Sequence, residues 1–287
     1  GTWEIQNDQP LYGASAVLTN SGTIARTTSG GAATVQPGVT SSGAINIQSG
    51  TLSFTGTFTQ TAGGLHLAGG NLSSSQTLNI QGGVLDGNGT IDGNVSVSSS
   101  GQFSPGASPG EISIINNHTY TQANPGVLAI DVNGLNPGTD FDRVPISGAA
   151  NLGGELRISL GYTPAPGDSF TILTHKSRTG TFGKLTSPSP GAGLGWSIDY
   201  ASTFTTLSIT QISAAPMGVD TRVGSGTVSD ANGVLEPGER VAVVEDVVTT
   251  GKSTREVLAV LAAAGERASL GGEPRNRRPD QSRSCLQ

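Results

Sequence analysis

The sequence predicts an all-β chain: a parallel β-helix, or solenoid, then a β-rich capping region, a short C-terminal strand–loop–helix and a disordered tail. Three observations predict it. Glycine supplies 43 of 287 residues and charged residues only 13%, far above and far below their usual shares in globular chains. Runs of three to five residues alternate apolar with Thr, Ser or Asn, so one side of each run points inward and the other meets water. Those runs also return: SGTI at 21–24 and SGAINI at 42–47 are spaced as one coil of a solenoid would be.

The first element, residues 1–125, is read as the β-helix rungs. SGTLSF at 49–54, GGLHL at 63–67, TLNI at 77–80, GGVL at 82–85, NGTI at 88–91 and GNVSV at 93–97 repeat the theme of a turn pair before an alternating run. Strands this short do not hold as free hairpins. They are stable when successive coils stack and share a core, with glycine supplying left-handed backbone angles at the corners. A β-sandwich or a low-complexity linker is the alternative, but the inward alternation is too regular for disorder.

Charge divides the chain further on. Residues 1–212 hold 6 Lys/Arg and 11 Asp/Glu, whereas residues 213–287 hold 9 and 10 in about a third of the length. The divisions expected are a second β region at 126–212, a linker at 213–232, a strand–loop–helix at 233–265 and a disordered tail at 266–287. The net charge of −6 and the lack of a basic patch in the first two-thirds exclude a nucleic-acid partner. Cys285 has no second cysteine to pair with. No apolar run is long enough to span a bilayer as a helix. The absence of an initiator Met and of a leader pattern suggests a fragment of a longer polypeptide, with any membrane association residing in missing parts of the parent.

Within the first part, LDGNGTIDGNVSVSSSGQFSPGASPGEISIINNHTYTQ (85–122), GTDFDRVPISGAANLGGELRISL (138–160), PAPGDSFTILTHKSRTGTFGKL (164–185) and LGWSIDYASTFTTLSI (194–209) stand in a fixed order. This order resembles the passenger repeats of autotransporter-type surface proteins over about residues 20–212. It departs from them at Asn117-His118, where that family carries Gly. The resemblance implies an exported, elongated, adhesin-like scaffold at a bacterial surface, monomeric and non-catalytic, with host or cell-surface glycans or proteins as partners.

An enzymatic solenoid is the competing class. IDGN and LDGNGT are similar to stretches of pectin-cleaving β-helix hydrolases and lyases, and glycosidases need two carboxyls across one bond. Asp86 and Asp92 are candidates by spacing, but the further Asn-Thr-Asp, Asp-Asp, Gly-His-Gly and Arg-Ile-Lys elements of those enzymes are missing. Asp-Gly and Asn-Gly are also ordinary turn chemistry. His66, His118 and His175 stand singly, without metal-ligand spacing, and read as surface or strand residues. Asp140 and Asp142 flank Phe141 and read as solvated carboxylates on one face of a strand edge. No catalytic or metal-binding residue is nominated in this part.

The C-terminal stretch VAVVEDVVTTGKSTREVLAVLAAAG (241–265) is of another kind. Val241–Val244 is a continuous apolar strand, Glu245 and Asp246 sit at its carboxyl end, and 254–264 has one apolar helix face. Loop amides and a helix N-terminus there are suited to phosphate; a Walker A loop is excluded because position 246 is Asp, not Gly. The stretch resembles the phosphoribosyl-pyrophosphate motif of orotate phosphoribosyltransferases. That resemblance implies that Glu245 and Asp246 hold the ribose hydroxyls and that Thr249, Thr250, Gly251, Lys252 and Ser253 wrap the 5′-phosphate, with Mg²⁺ accompanying the ligand. It covers only about 235–265, and the remaining transferase parts are not found upstream. Inactivity is therefore expected, since a lone strand and helix bury too little to offset their ordering entropy. The polar, Arg-rich tail after Gly265 then reads as a join of two unrelated coding regions that runs out of frame, with VLEPGERV (234–241) compatible with either parent. A cytoplasmic location follows only under the transferase alternative. Otherwise no cofactor is expected.

Overall fold

The structure is a computed structural model, and it describes residues 1–28, 30–106 and 109–212. Every regular element among them is a β-strand. The strands wind as a solenoid of about 6 turns and stack into three lengthwise parallel faces, two of which run through more coils than the third.

Face A runs from Thr2–Ile5 through Thr23–Arg26, Ala44–Ile47, Gly64–Ala68, the first half of Val84–Asp92, Gln102–Pro105, Val127–Val132 and Glu155–Leu160 to Lys184–Thr186. Face B holds Ala32–Val35, Thr51–Phe54, Asn71–Ser74, the second half of Val84–Asp92 and Ile112–Ile114. Face C holds Val17–Asn20, Gly38–Ser41, Phe58–Gln60, Leu78–Ile80, Val95–Val97, Tyr120–Gln122, Ala149–Leu152 and Ser177–Gly180. Parallel stacking therefore does not stop at 125; it continues to the strand at 184–186. What changes is the length of a coil. Ala44 faces Gly64 and Gly64 faces Val84, each 20 residues on, whereas Gln102 faces Val127 and Val127 faces Glu155, 25 and 28 residues on.

Period-two alternation puts the same kind of residue inside at every level. On face A the inward column runs Ile24, Ile45, Leu65, Leu85, Phe103, Leu128 and Leu156, and all are buried. Burying one such side chain contributes about 1.5–3 kcal/mol, which a strand of three residues gains only by stacking between neighbours. Phe54 and Phe58 meet at 4.7 Å between ring centroids, and Phe103 meets Tyr120 at 5.6 Å.

Corners explain the glycine pairs. Gly63 and Gly83 turn the chain from face C into face A at φ +70°, and a Cβ on either would lie 2.2 Å from the carbonyl oxygen of Gly43 or Gly63, one coil below. Buried polar residues finish the same corners. Asn20, Ser41 and Gln60 are register partners on face C; the Asn20 amide donates to Ser41 Oγ (3.0 Å) and to the Ala44 carbonyl (3.2 Å), and Gln60 Nε2 to the Gly43 carbonyl (3.2 Å). Gln122 serves the corner three coils on, donating to the carbonyls of Gly126 and Glu155 at 2.9 Å each while its Oε1 accepts from the Tyr120 hydroxyl at 2.7 Å. Each side chain satisfies a turn carbonyl.

The far end is built differently. Val144–Pro145 lies parallel to Ser169–Thr174, which pairs antiparallel with Phe204–Gln211, itself antiparallel to Leu194–Tyr200. Phe170 is fully buried in this closing sheet, with the rings of Phe141, Tyr162 and Trp196 5.4, 6.2 and 6.2 Å away.

Candidate functional site

The site predicted with most detail, Glu245, Asp246, Thr249, Thr250, Gly251, Lys252 and Ser253, lies outside the described residues, as do the expected linker, helix and tail. The chemistry that the structure can place is therefore on the solenoid.

Asp86 and Asp92 share the strand Val84–Asp92, but it passes from one face to another, bending at Gly87 (φ 96°) and Gly89 (φ 157°). Asp86 stands on face A, in register between His66 and Ser104. Asp92 stands on face B, opposite Ser73. The two carboxylates thus do not share a face across which a sugar bond would lie, and each has a histidine from another coil instead. His66 Nδ1 bonds the Asp86 carboxylate. His118 sets Nε2 3.1 Å from Asp92 Oδ1 and Nδ1 3.3 Å from the Asn94 amide oxygen. Both pairs are partly exposed. A His–Asp pair could activate a nucleophile held on the free side of the imidazole, yet Ser104 flanks the carboxylate rather than the ring. The spacing of the histidines in the sequence, 20 residues before one aspartate and 26 after the other, gave no hint of these pairs; coil length decides them.

His175 differs from the expectation of a surface residue. It is buried between Ser169–Thr174 and Ser177–Gly180, with Nε2 3.3 Å from Thr205 Oγ1. Burial, then the nearby Arg178 guanidinium, lowers its pKa below the ordinary histidine value, so the ring is neutral at pH 7.

Asp140 and Asp142 also depart from the paired, solvated reading. Asp140 is half-buried and accepts from the Asn136 backbone N–H and amide. Asp142 is fully buried, its Oδ1 accepting from Gly110 N–H (2.6 Å) and Oδ2 from Asp131 N–H (2.8 Å). It ties Gly110 to the strand Val127–Val132. Burial pushes its pKa up to about 7, against the pull of those two N–H groups. The segment is a tight loop, not a strand, so neighbours one apart are not held to the same side.

Arg26 is a further inward polar residue that alternation alone would have rejected. It occupies the face A column between Ile5 and Ile47, with no exposed surface. Its guanidinium donates to the carbonyls of Ile5 (3.3 Å), Asn7 (2.5 Å) and Gly31 (3.3 Å) and pairs with Asp8. The chain 6–16, which carries no face strand, supplies two of these partners, Asn7 and Asp8, and so lets a charge sit inside.

The outside of face C carries an unbroken hydroxyl and amide column. Thr19, Thr40, Thr59, Asn79, Ser96 and Thr121 face one another coil by coil, and Asn151 and Thr179 continue them. Hydrogen bonds fix its upper part, Asn151 Nδ2 to Thr121 Oγ1 at 3.2 Å and Thr179 Oγ1 to Asn151 Oδ1 at 2.8 Å. Among the described residues no three His, Cys, Asp or Glu side chains converge as metal ligands, and no helix is long and apolar enough to cross a membrane.

No family model matches the chain. One segment of 38 residues is 60% identical to an orotate phosphoribosyltransferase of Heliobacterium modesticaldum. The match takes in 13% of this chain, which spans 20% of the length of that relative. It carries the same family name as the resemblance at about 235–265.

Proposed function

We propose that residues 1–212 are a non-catalytic, adhesin-like scaffold of an autotransporter-type bacterial protein, displayed outside the cell. The observation that carries this is the stacking: coils join in register into one continuous core, so each coil spends its inward residues on its neighbours and its outward residues on an extended surface. The order of motifs from Leu85 to Ile209 supplies the family part of the reading. Partners would be glycans or proteins of another cell, met by the outer ladders. Expressing the chain on a bacterial surface and scoring adhesion to immobilised glycans and host cells is the test; adhesion equal to that of non-expressing cells, with the solenoid folded, would reject it.

The 38-residue match favours a second reading for the C-terminal part, a transferase-like fragment that holds phosphoribosyl pyrophosphate and Mg²⁺ through Glu245, Asp246 and the Thr249–Ser253 loop. Because the match spans a fifth of that relative, binding without turnover is the expected outcome. Saturable binding by calorimetry that Asp246→Ala abolishes would support it, and orotidylate formation would overturn the absence of catalysis. A polysaccharide-cleaving solenoid is disfavoured by the separation of Asp86 from Asp92; release of reducing or unsaturated ends from pectin-like polymers would restore it.

A further inference from the structure

Face C differs chemically from the rest of the solenoid. From Val17–Asn20 to Ala149–Leu152 none of its strands carries a charged residue, whereas face A presents Glu4, Asp86, Glu155, Arg157 and Lys184, and face B presents Asp92. The aromatic residues on its strands, Phe58 and Tyr120, are both buried. What face C shows outward is the Thr/Asn/Ser column, at one residue per coil and without a register slip over eight strands. On the four middle coils the residue just before each inward position is Thr57, Thr77, Asn94 or Thr119, a second polar row beside the first.

These properties restrict the partner. It must be uncharged, since no ion pair is on offer. It must both accept and donate hydrogen bonds, as Thr, Ser and Asn do. It must also repeat in step with the coils, at about 4.8 Å. A neutral polysaccharide meets the first two conditions, but its sugar rings would find no aromatic face to stack on. An ice crystal meets all three: its surface is a neutral lattice of donors and acceptors whose oxygen repeat along one axis is close to the coil spacing. Threonine suits such a lattice because its methyl fills the gaps between waters that its hydroxyl joins. Each contact is weak, but a rigid column engages many at once, and the combined hold exceeds that of any single contact. We propose that face C is an ice-binding surface, centred on Thr40, Thr59, Asn79, Ser96 and Thr121. The proposal rests on the scaffold reading of residues 1–212 but replaces, for face C alone, the glycan or protein partner proposed there.

The test uses the whole 287-residue chain. Purified protein is partitioned between a slowly growing ice front and the remaining liquid, and ice recrystallisation is followed in the same samples. The expected result is enrichment in the ice fraction and slowed recrystallisation. Thr59→Lys with Thr121→Lys should return both to the level of an inert protein of similar size. Asn46→Lys, on the outside of face A, should leave them unchanged, with the same circular dichroism spectrum throughout. If the parent chain is excluded from ice like the inert protein, or the face C variant is retained as well as the parent, the proposal fails. Retention on crystalline cellulose without retention in ice also overturns it, in favour of a glycan. If the double variant does not fold, Thr19→Lys and Thr40→Lys, at the fully exposed start of the column, take its place. Failure here with intact surface adhesion would leave the scaffold reading standing.

Discussion

The middle coils and the closing end solve the same burial problem in opposite ways. Between Ile24 and Ile114, inward residues of successive coils, mostly aliphatic, lie directly over one another, coils recur at close to 20 residues, and most interior polar residues sit at corners, Arg26 apart. Beyond Val127 the coils lengthen, the loop from Asn133 to Asp142 stands out from the helix, and an antiparallel sheet packs aromatic rings over the last coils. A coil in the middle has a neighbour on both sides, and stacking alone covers its inward side chains. A coil at an end lacks one neighbour, and large rings plus a change of strand direction cover what stacking cannot. Antiparallel pairing with Phe204–Gln211 also stops the edge of Ser169–Thr174 from accepting another parallel strand.

Substitutions can break this contrast. The largest effect is expected at Phe170→Ala, where the ring at the centre of the aromatic cluster is lost; the cost should be about 3–5 kcal/mol. Hydrogen exchange should show the closing sheet opening before the middle coils. Equal loss of protection in both would mean that the end is not a separate cap. Next is Asp142. Its folded-state pKa is raised from 3.8 to about 7, so the folded protein keeps this proton where the unfolded chain has released it. Its contribution to stability is therefore greatest below the unfolded value near 4 and is lost as pH rises through about 7. Urea midpoints measured from pH 4 to 8 should fall with pH in the parent and fall less in Asp142→Asn. An unchanged slope would show that the two N–H donors, not burial, control the carboxylate.

Smaller effects sharpen the comparison. Gly63→Ala adds a methyl against the Gly43 carbonyl at a positive φ, whereas Gly193, also at φ 70°, has open space around its missing Cβ. The backbone strain alone costs about 1–2 kcal/mol at either position, so thermal unfolding should separate the two by whatever the stacked corner adds. Equal losses would mean that the corner relaxes freely. Smallest is Lys184→Ala, which removes an exposed partner 3.0 Å from Glu155. That pair lowers the glutamate's pKa, yet its loss should change stability by no more than about 1 kcal/mol, and less in high salt.

The repeating part of the fold was legible because its physics is local. Alternation in INI, LHL or VSV says which side chains turn inward, and Gly-Gly or Ser-Gly says where the chain bends, whatever lies next to them. The closing end was less legible: PAPGDSFTIL and LGWSIDY read as strands, but nothing in them announces an antiparallel partner. The solenoid's polar contacts were hardest. Asp86 and Asp92 are six residues apart yet on different faces, since the strand between them bends at Gly87 and Gly89. Asp142 looked like a solvated carboxylate because the groups that bond it come from other segments.

By itself, then, the sequence determined the coil: which residues face the core, roughly how many make a turn, and that charge becomes much denser after residue 212. Only the tertiary structure decided which residues become neighbours across coils. That choice placed His66 on Asp86, His118 on Asp92, Arg26 inside the first coils and the Thr19-to-Thr179 column on one face. The reason is that alternation acts over two residues, while contact between coils depends on each coil's whole length. A change of a few residues in one turn shifts every partner that the next turn can offer.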